Sequence, residues 1–365
     1  MGALNDGSDV SLESLGGWPG VLSRLFRRDD LTEDEAAVVL DSILTGEAAP
    51  TQVAAFAAAL RTKGETGQEI TGFVRAMRAR GERIDLGPGL VDTCGTGGDR
   101  SGSINVSTMA AVIVASSGAR VCKHGGRAAS SISGSADVFE ALGVVVDLGP
   151  KGVARCIAEV GIGFCLAPRF HPAMRHAAPV RRELGVPTVF NFLGPLANPA
   201  RATRQLIGVG DPRMAPRMLE VLEANGTERA MIVYGHDGLD ELSTVAPSTV
   251  LETRLNAGGE GYERATYEID SVDLGLARAV PADLRGGTAD ENAAALKDVF
   301  AGEPGPRRDF AVLNAAGGLV VAGAAADLRS GVALAGSLID DGAATKSLDG
   351  LIRVSREVRD QGEQG

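Results

Sequence analysis

From residue 87 onward, short β-branched runs alternate with alanine-rich helical stretches, and this alternation constrains the fold more than any other feature of the chain. It is typical of a parallel sheet, because parallel strands need a long crossover that returns the chain to the same end. The predicted strands are residues 90–92, 120–123, 144–147, 163–167, 205–210 and 229–234, and closing helices are predicted at 309–325 and 328–360. We therefore predict a large α/β domain with a central, mainly parallel sheet over residues 87–365.

Residues 18–86 carry helical signals only, which predicts a small all-helical domain before the sheet. Thr32 with Glu35 and Thr66 with Glu69 have the spacing of capping boxes at helix starts. Residues 1–17 have little apolar content, and we expect a flexible N-terminus there. Apolar residues at helical spacing form one face that we expect to be core: Ile70, Phe73, Val74 and Met77.

Composition excludes several classes of function. The formal net charge is -11 over 365 residues and the chain has no basic block, so no nucleic-acid partner is expected. No apolar run approaches the length of a membrane span, and the opening residues do not resemble a signal peptide. The four cysteines show no metal-ligand or CxxC spacing, so we expect reduced, mostly buried thiols and a cytoplasmic protein.

A glycine-rich loop follows the first predicted strand and leads to a helix. Gly95, Gly97 and Gly98 would let backbone amides approach a phosphate closely, and the helix that opens near Asn105 offers unpaired N–H groups. The pattern is neither a P-loop nor a dinucleotide fingerprint, because the glycines are followed by Asp99. A carboxylate beside a phosphate binds a metal or sugar hydroxyls, although in an isolated loop it would only form the turn.

Two further clusters follow the ends of later predicted strands. Lys123 and Arg127 are followed by several serines, which together suit a pyrophosphate clamp at the carboxyl edge of the sheet. The serines of this cluster are Ser130, Ser131, Ser133 and Ser135. Asp240 and Glu241 lie in an acidic turn whose oxygens suit Mg²⁺, although such a turn alone would be a solvated loop.

These three clusters, in this order, closely resemble the anthranilate phosphoribosyltransferase family, within the nucleoside phosphorylase class of phosphoribosyltransferases. The resemblance covers nearly the whole chain, including residues 54–66, 134–143, 169–172 and 191–199. It implies a small helical domain, to which residues about 171–184 return, an active site in the cleft between the two domains, and a homodimer formed through the helical domains.

The resemblance also implies a reaction and its residues. The phosphoribosyl group of phosphoribosyl pyrophosphate (PRPP) would pass to the amine of anthranilate, giving N-(5-phosphoribosyl)anthranilate and pyrophosphate in tryptophan biosynthesis. PRPP would be bound by Gly95, Thr96, Gly98, Asp99, Asn105, Ser107, Thr108, Lys123 and Ser135, with Lys123 and Asp99 in catalytic roles. Anthranilate would be bound by Gly95, His124, Gly126, Arg181 and Pro195. Of two Mg²⁺ ions, Ser107 would hold one, and Asp240 with Glu241 the other.

One position departs from the family pattern. The family motif reads Lys-His-Gly-Asn-Arg, whereas this chain has Gly126 in place of the asparagine and so lacks a side-chain amide. This leaves three alternatives open: a paralogue with a different aromatic acceptor, a pyrimidine nucleoside phosphorylase-like enzyme, and a catalytically inactive PRPP-binding protein. The Asp240–Glu241 pair and the 191–199 motif oppose the phosphorylase.

Overall fold

The structure, a computed structural model, describes residues 10–99, 101–128 and 132–362. Ser130 and Ser131 of the predicted clamp lie outside these residues, as does most of the predicted N-terminal segment 1–17. The strands are β1 Val91–Gly95, β2 Val121–Gly125, β3 Ile162–Leu166, β4 Arg204–Gly208, β5 Arg229–Gly235, β6 Ser248–Leu255 and β7 Tyr262–Ile269. The helices are α1 Gly17–Phe26, α2 Glu33–Leu44, α3 Pro50–Lys63, α4 Gly67–Arg80, α5 Val106–Ser116, α6 Ser135–Leu142, α7 Pro150–Val160, α8 Ala167–Phe170, α9 Ala178–Leu184, α10 Phe190–Leu196, α11 Ala215–Ala224, α12 Ala289–Phe300, α13 Pro306–Ala322, α14 Leu328–Asp340 and α15 Ala343–Asp360.

Helices α1–α4 form the predicted small helical domain. Both predicted capping boxes are present, because the Thr32 and Thr66 hydroxyls accept from the backbone N–H of Glu35 and Glu69. The predicted apolar face of α4 is core, since Phe73 and its three companions are at most 5% exposed. Ala177 and Val180, within residues 171–184, belong to the same apolar cluster as the core residues of α1–α4.

The seven strands lie in the order β3-β2-β1-β4-β5-β6-β7. Strands β1–β5 are parallel to one another, whereas β6 pairs antiparallel with both β5 and β7. The sheet is therefore mainly parallel, as predicted. Side chains alternate between its two faces, as a pleated strand requires. Ile207 and Ile232 face the helical domain, whereas Leu206 and Met231 face the cluster built on α5 and α13.

Two features of the predicted sheet were wrong. Residues 144–147 are not a strand, although Val144 and Val146 are buried alternately; the backbone N–H of Val145 donates instead to Ser355 Oγ on α15, 3.1 Å away. The hairpin of β6 and β7 was missed, because the edge strand β7 is largely exposed and carries little apolar pattern. Gly259 and Gly261, noted in the sequence only as a glycine-rich turn, adopt positive φ between these two strands.

None of the helices within the described ranges combines the length and the apolar character that a membrane crossing requires.

Candidate active site

Four parallel strands end in a glycine at the same edge of the sheet: Gly95, Gly125, Gly208 and Gly235 end β1, β2, β4 and β5. The strand order reverses its direction around β1, which lies between β2 and β4. Ligands of open α/β sheets bind outside the carboxyl ends of strands at such a switch point. The three predicted clusters all follow strands that end at this edge.

The glycine loop after β1 is held by its neighbours. The backbone N–H of Thr96 donates to the carbonyl oxygen of Gly208, 2.9 Å away, and that of Gly97 donates to Asp240 Oδ2, 2.8 Å away. Gly97 and Gly98 adopt φ of 66° and 87°, which other residues rarely do. The loop and the acidic turn are therefore one unit, although 143 residues separate Gly97 from Asp240.

Two strand-end glycines make room for the acidic turn. A Cβ at Gly95 would overlap Asp240 Oδ2, and one at Gly208 would overlap the carbonyl oxygen of Asp240. Gly208 was not identified from the sequence, where its only signal is its position at the end of an apolar strand. A larger residue at either position would displace the turn.

In the acidic turn Asp240 is buried and Glu241 is half-buried, and this shifts the pKa of both carboxylates. Burial, with the negative charge of Asp99 as the second cause, raises the pKa of Asp240 to about 8, and burial beside Asp240 raises the pKa of Glu241 well above its usual range. Burial also lowers the pKa of Lys123, against the opposing effect of Asp92. Such carboxylates fit a divalent cation, because bound positive charge would stabilise their ionised form.

The carboxylates do not form a self-sufficient metal site. Within residues 10–99, 101–128 and 132–362, no three His, Cys, Asp or Glu side chains are grouped to hold a metal. A cation beside Asp240 and Glu241 would complete its shell with water or substrate oxygens, which is how Mg²⁺ commonly binds phosphates.

Lys123 lies near the carboxyl end of β2, and only 1% of its surface is exposed. Its Nζ donates to the carbonyl oxygen of Thr93, 2.6 Å away, and lies 3.4 Å from Ser107 Oγ. An ammonium has three donors, so its remaining capacity can face a phosphate.

The other predicted PRPP residues surround the start of α5. Asn105 precedes the helix, and Ser107 and Thr108 lie in its first turn. Thr108 is fully buried, and its Oγ1 has no hydrogen-bond partner among the residues that the structure describes. Ser135 begins α6 beside the end of β2, since a Cβ at Gly125 would stand 3.3 Å from Ser135 Cβ.

The five residues predicted for the acceptor line one cavity of about 540 Å³. Gly95, His124 and Gly126 belong to the strand ends, Arg181 lies on α9 and Pro195 on α10. The cavity thus lies between the α/β domain and the helices that pack across it. Further lining residues are Met77, Cys94, Thr96, Arg127, Pro168, His171, Met174, Arg175, Ala178, Phe190 and Asn191.

The tautomer of His124 follows from its contacts. Its Nδ1 lies 3.1 Å from the carbonyl oxygen of Gly194, which can only accept, so Nδ1 carries the hydrogen. Burial, followed by the neighbouring His171, lowers the pKa of His124 to about 3, so the ring is neutral. Nε2 therefore has a free lone pair, and it has no partner in the described part of the chain.

Arg181 is a half-buried cation at the helical side of the cavity. Its guanidinium has no ion-pair or hydrogen-bond partner among the described residues, and burial lowers its pKa. By contrast, Arg61 and Arg75 of the helical domain both form ion pairs with carboxylates. A half-buried guanidinium without a counter-ion suits an anionic ligand.

Gly126 lies in the cavity with free space around it. Its φ is not in the left-handed region, and a Cβ there would meet no atom of the described residues within 4 Å. The described residues therefore give no steric reason for glycine at the position where the family motif has asparagine.

Asp92 is a buried residue of this site whose role was missed. Its Oδ1 accepts from the backbone N–H of His124, 3.1 Å away, and its Oδ2 accepts from Asn198 Nδ2 at 2.8 Å. Asn198 Nδ2 also donates to the carbonyl oxygen of Cys122. This pair sets the end of β2, and hence Lys123 and His124, relative to β1.

Family profiles match both parts of the chain. The profile described as "Glycosyl transferase family, a/b domain" matches residues 87–345, and the one described as "Glycosyl transferase family, helical bundle domain" matches residues 19–81.

Curated relatives match nearly end to end. Proteins named anthranilate phosphoribosyltransferase are similar to this chain in Thermomicrobium roseum, with 51% identity over 91% of this chain and 95% of the relative, and in Roseiflexus castenholzii, with 49% identity over 91% and 96%.

Solved structures are similar in fold. The anthranilate phosphoribosyltransferase of Thermus thermophilus matches with a TM-score of 0.85 and 41% identity, covering 92% of this chain and 99% of that chain. The Saccharomyces cerevisiae enzyme in complex with PRPP and Mg matches with a TM-score of 0.83 and 28% identity, covering 93% and 98%. The same yeast enzyme has also been solved with 4-fluoroanthranilate.

Proposed function

The chain belongs to the anthranilate phosphoribosyltransferases of the glycosyl transferase family, and we propose that it transfers the phosphoribosyl group of PRPP to the amine of anthranilate. The products are N-(5-phosphoribosyl)anthranilate and pyrophosphate, and the reaction belongs to tryptophan biosynthesis. One observation carries this most directly: Gly95 and Thr96 of the glycine loop line the same cavity as Arg181, whose guanidinium has no partner among the described residues. A phosphoribosyl donor and an aromatic acid can thus meet in one cleft.

On the donor side, the chain would bind PRPP through its loop amides and polar side chains. The N–H group of Gly98, the first turn of α5 and Lys123 would face the phosphates, and Asp99 would bind ribose hydroxyls or a metal ion. These groups are already held by the protein, so they stabilise the departing pyrophosphate without reorganising.

The magnesium sites are part of the proposal. Asp240 and Glu241 would hold one Mg²⁺ and the Ser107 hydroxyl a second, and the raised pKa values of the two carboxylates support a cation there. Bound Mg²⁺ supplies positive charge against the pyrophosphate oxygens. Because Asp240 must lose a proton to bind it, Mg²⁺ should bind more weakly as the pH falls below about 8.

On the acceptor side, Arg181 would bind the carboxylate of anthranilate, and the neutral ring of His124 would lie against the acceptor in the same cavity. A bond then forms between the amine nitrogen of anthranilate and C1 of the ribose while the bond from C1 to the pyrophosphate oxygen breaks, with inversion at C1. The proton that the nitrogen then loses passes to the departing pyrophosphate or to water. The arylamine is neutral at pH 7 and needs no strong base, which fits a histidine whose pKa is about 3. Catalysis is then positioning and charge stabilisation.

Two broader proposals concern the whole protein. We propose a homodimer through the helical domains, supported by Phe26 at the end of α1, whose side chain is 68% exposed. We propose a cytoplasmic location, supported by the four cysteines, all of which are free and buried.

The test is pyrophosphate release by purified protein from PRPP and Mg²⁺, with anthranilate and a panel of other aromatic amines and acids. Anthranilate should give the highest kcat/KM, and omitting either PRPP or the acceptor should abolish release. A different preferred acid would identify a paralogue, and no release with any acceptor, despite PRPP binding, would identify an inactive binding protein.

A further inference from the structure

Two asparagines that the sequence analysis did not identify lie buried beside the donor side of the site. Asn292 on α12 is 3% exposed, and Asn314 on α13 is fully buried. A buried amide is costly unless it is hydrogen-bonded, so its partners show which segments it holds together. Both asparagines bond to segments that carry predicted substrate or metal residues.

Asn292 joins three segments that are far apart in the chain. Its Nδ2 donates to Asn105 Oδ1, 2.7 Å away, and to Ser133 Oγ, 2.8 Å away, while its Oδ1 accepts from the backbone N–H of Gly287 at 2.9 Å. Asn105 Nδ2 in turn donates to the carbonyl oxygen of Ser133. One amide thus sets the end of the glycine loop against the serine segment before α6.

The residues before α12 reinforce this connection through the backbone. The N–H of Ile104 donates to the carbonyl oxygen of Leu284 at 2.9 Å. The N–H of Gly286 donates to the carbonyl oxygen of Gly102 at 2.8 Å. A Cβ at Gly286 would stand 2.7 Å from the carbonyl oxygen of Ser103. Residues 284–287 therefore lie along residues 102–104, and Gly287 is in turn hydrogen-bonded to Asn292.

Asn314 holds the acidic turn in a similar way. Its Oδ1 accepts from the backbone N–H of Leu242 at 3.0 Å, and its Nδ2 donates to the carbonyl oxygen of Leu242 at 2.9 Å. Its Nδ2 also donates to Phe310 one turn earlier in α13. The Asn314 side chain thus binds both the N–H and the carbonyl oxygen of Leu242. This fixes the backbone directly after Glu241.

We propose that Asn292 and Asn314 are positioning residues of the donor site, with Asn292 setting the PRPP loop through Asn105 and Ser133, and Asn314 setting the metal-binding turn through Leu242. Neither asparagine contacts substrate in this account, which rests on the proposed function. Because the two asparagines hold different segments, their loss should affect different constants. Asn292 should govern the affinity for PRPP, and Asn314 the affinity for Mg²⁺.

The test uses isosteric variants of the full-length enzyme. Asn292→Asp and Asn314→Asp each keep the oxygen that accepts a backbone N–H, but replace the donating Nδ2 by a second acceptor. Asn292→Asp should raise KM for PRPP about tenfold, as expected for the loss of the two buried hydrogen bonds that Nδ2 donates, while the Mg²⁺ concentration for half-maximal rate changes less than about twofold. Asn314→Asp should instead raise the Mg²⁺ concentration for half-maximal rate about tenfold, while KM for PRPP changes less than about twofold.

Further variants separate positioning from general stability. Asn292→Ala and Asn314→Ala remove the amide without adding charge and should reproduce the two patterns if an aspartate variant does not fold. Asn256→Ala, in the β6–β7 turn where Asn256 Nδ2 donates to the carbonyl oxygen of Glu260, should leave both constants unchanged. KM for anthranilate should remain within about twofold in every variant, because none of the changed contacts lies on the acceptor side.

Several outcomes would overturn the proposal. Variants that lower only kcat, or that raise all three constants equally, would make the asparagines purely structural. Calorimetric titration with PRPP, in the presence of Mg²⁺, tests Asn292 without turnover, so failure of wild-type protein to use anthranilate would count against the proposed function alone. Wild-type protein that binds no PRPP would overturn both.

Discussion

The two sides of the cleft are built in different ways. On the donor wall, formed by residues 95–99 with Lys123, Asp240 and Glu241, most polar groups are held by other parts of the protein, and Asp240 and Lys123 are buried. On the acceptor wall, formed by Met77, Met174, Arg175, Ala178 and Arg181, the half-buried guanidinium of Arg181 has no partner in the described residues, and three of the other four side chains are apolar.

This difference reflects the two ligands. PRPP carries many charges at fixed spacing, so its site must present preorganised dipoles and metal ligands in one geometry. An aromatic acid is small, flat and singly charged, so shape and one cation are sufficient. Removing the metal ligands of the donor wall should therefore nearly abolish turnover, whereas changes on the acceptor wall should produce graded changes in KM for anthranilate.

The largest effect should come from replacing Asp240 and Glu241 together by alanine. We expect at least about a thousandfold loss of turnover, because the pyrophosphate would lose the metal that stabilises it. The fold should remain intact, since desolvation raises the pKa of both carboxylates and their removal relieves that cost. Steady-state rates, with melting temperature alongside, measure this.

A matched control is the pair Glu33→Ala and Asp34→Ala, which removes adjacent carboxylates that pair with Arg75 at the surface of α2. Its activity should equal that of wild type. Full activity of the Asp240–Glu241 double variant, or of wild type in excess chelator, would disprove the metal assignment.

An intermediate effect is expected for Arg181→Ala. A carboxylate-guanidinium contact in a partly closed cleft contributes about 1.5 to 3 kcal/mol, so KM for anthranilate should rise about 10- to 150-fold while KM for PRPP barely changes. The neighbouring Arg182→Ala, an exposed residue on α9, should change neither constant. Equal losses for both substrates with Arg181→Ala would instead indicate that Arg181 supports the fold and that this wall does not bind the acceptor.

The smallest effect concerns Gly126→Asn, which restores the amide of the family motif. The backbone and the space there accept a side chain, so KM for anthranilate should fall by up to about tenfold. Bulkier analogues that the wild type tolerates should be used less well. Gly125→Asn is the contrasting variant, because a Cβ at Gly125 would crowd Phe164 and Ser135, and it should impair the enzyme. An unchanged KM in well-folded Gly126→Asn protein would show that the departure from the motif is neutral.

The same contrast explains which site residues could be predicted. Asp99, Lys123 and Asp240 follow recognisable strands and glycines, and each carries a charge whose chemistry can be named in advance. Asp92, Gly208, Asn292 and Asn314 act through partners that lie 32 to 187 residues away in the chain, or through the space that a missing side chain leaves. No local pattern distinguishes them from ordinary core or strand-end residues.

The sequence alone determined the class of fold, and it predicted the glycine loop, the Lys123 cluster and the acidic turn as a donor site. Capping boxes, apolar periodicity and turn glycines are local, so their consequences can be derived from neighbouring residues. Only the tertiary structure decided that the segment 144–147 bonds to helix α15 and not to a strand, and that β6 and β7 extend the sheet. It also decided that Asp240 packs against Gly95 and Gly208. These outcomes depend on which distant segment fills each space and satisfies each buried hydrogen bond, and packing of the whole chain settles that.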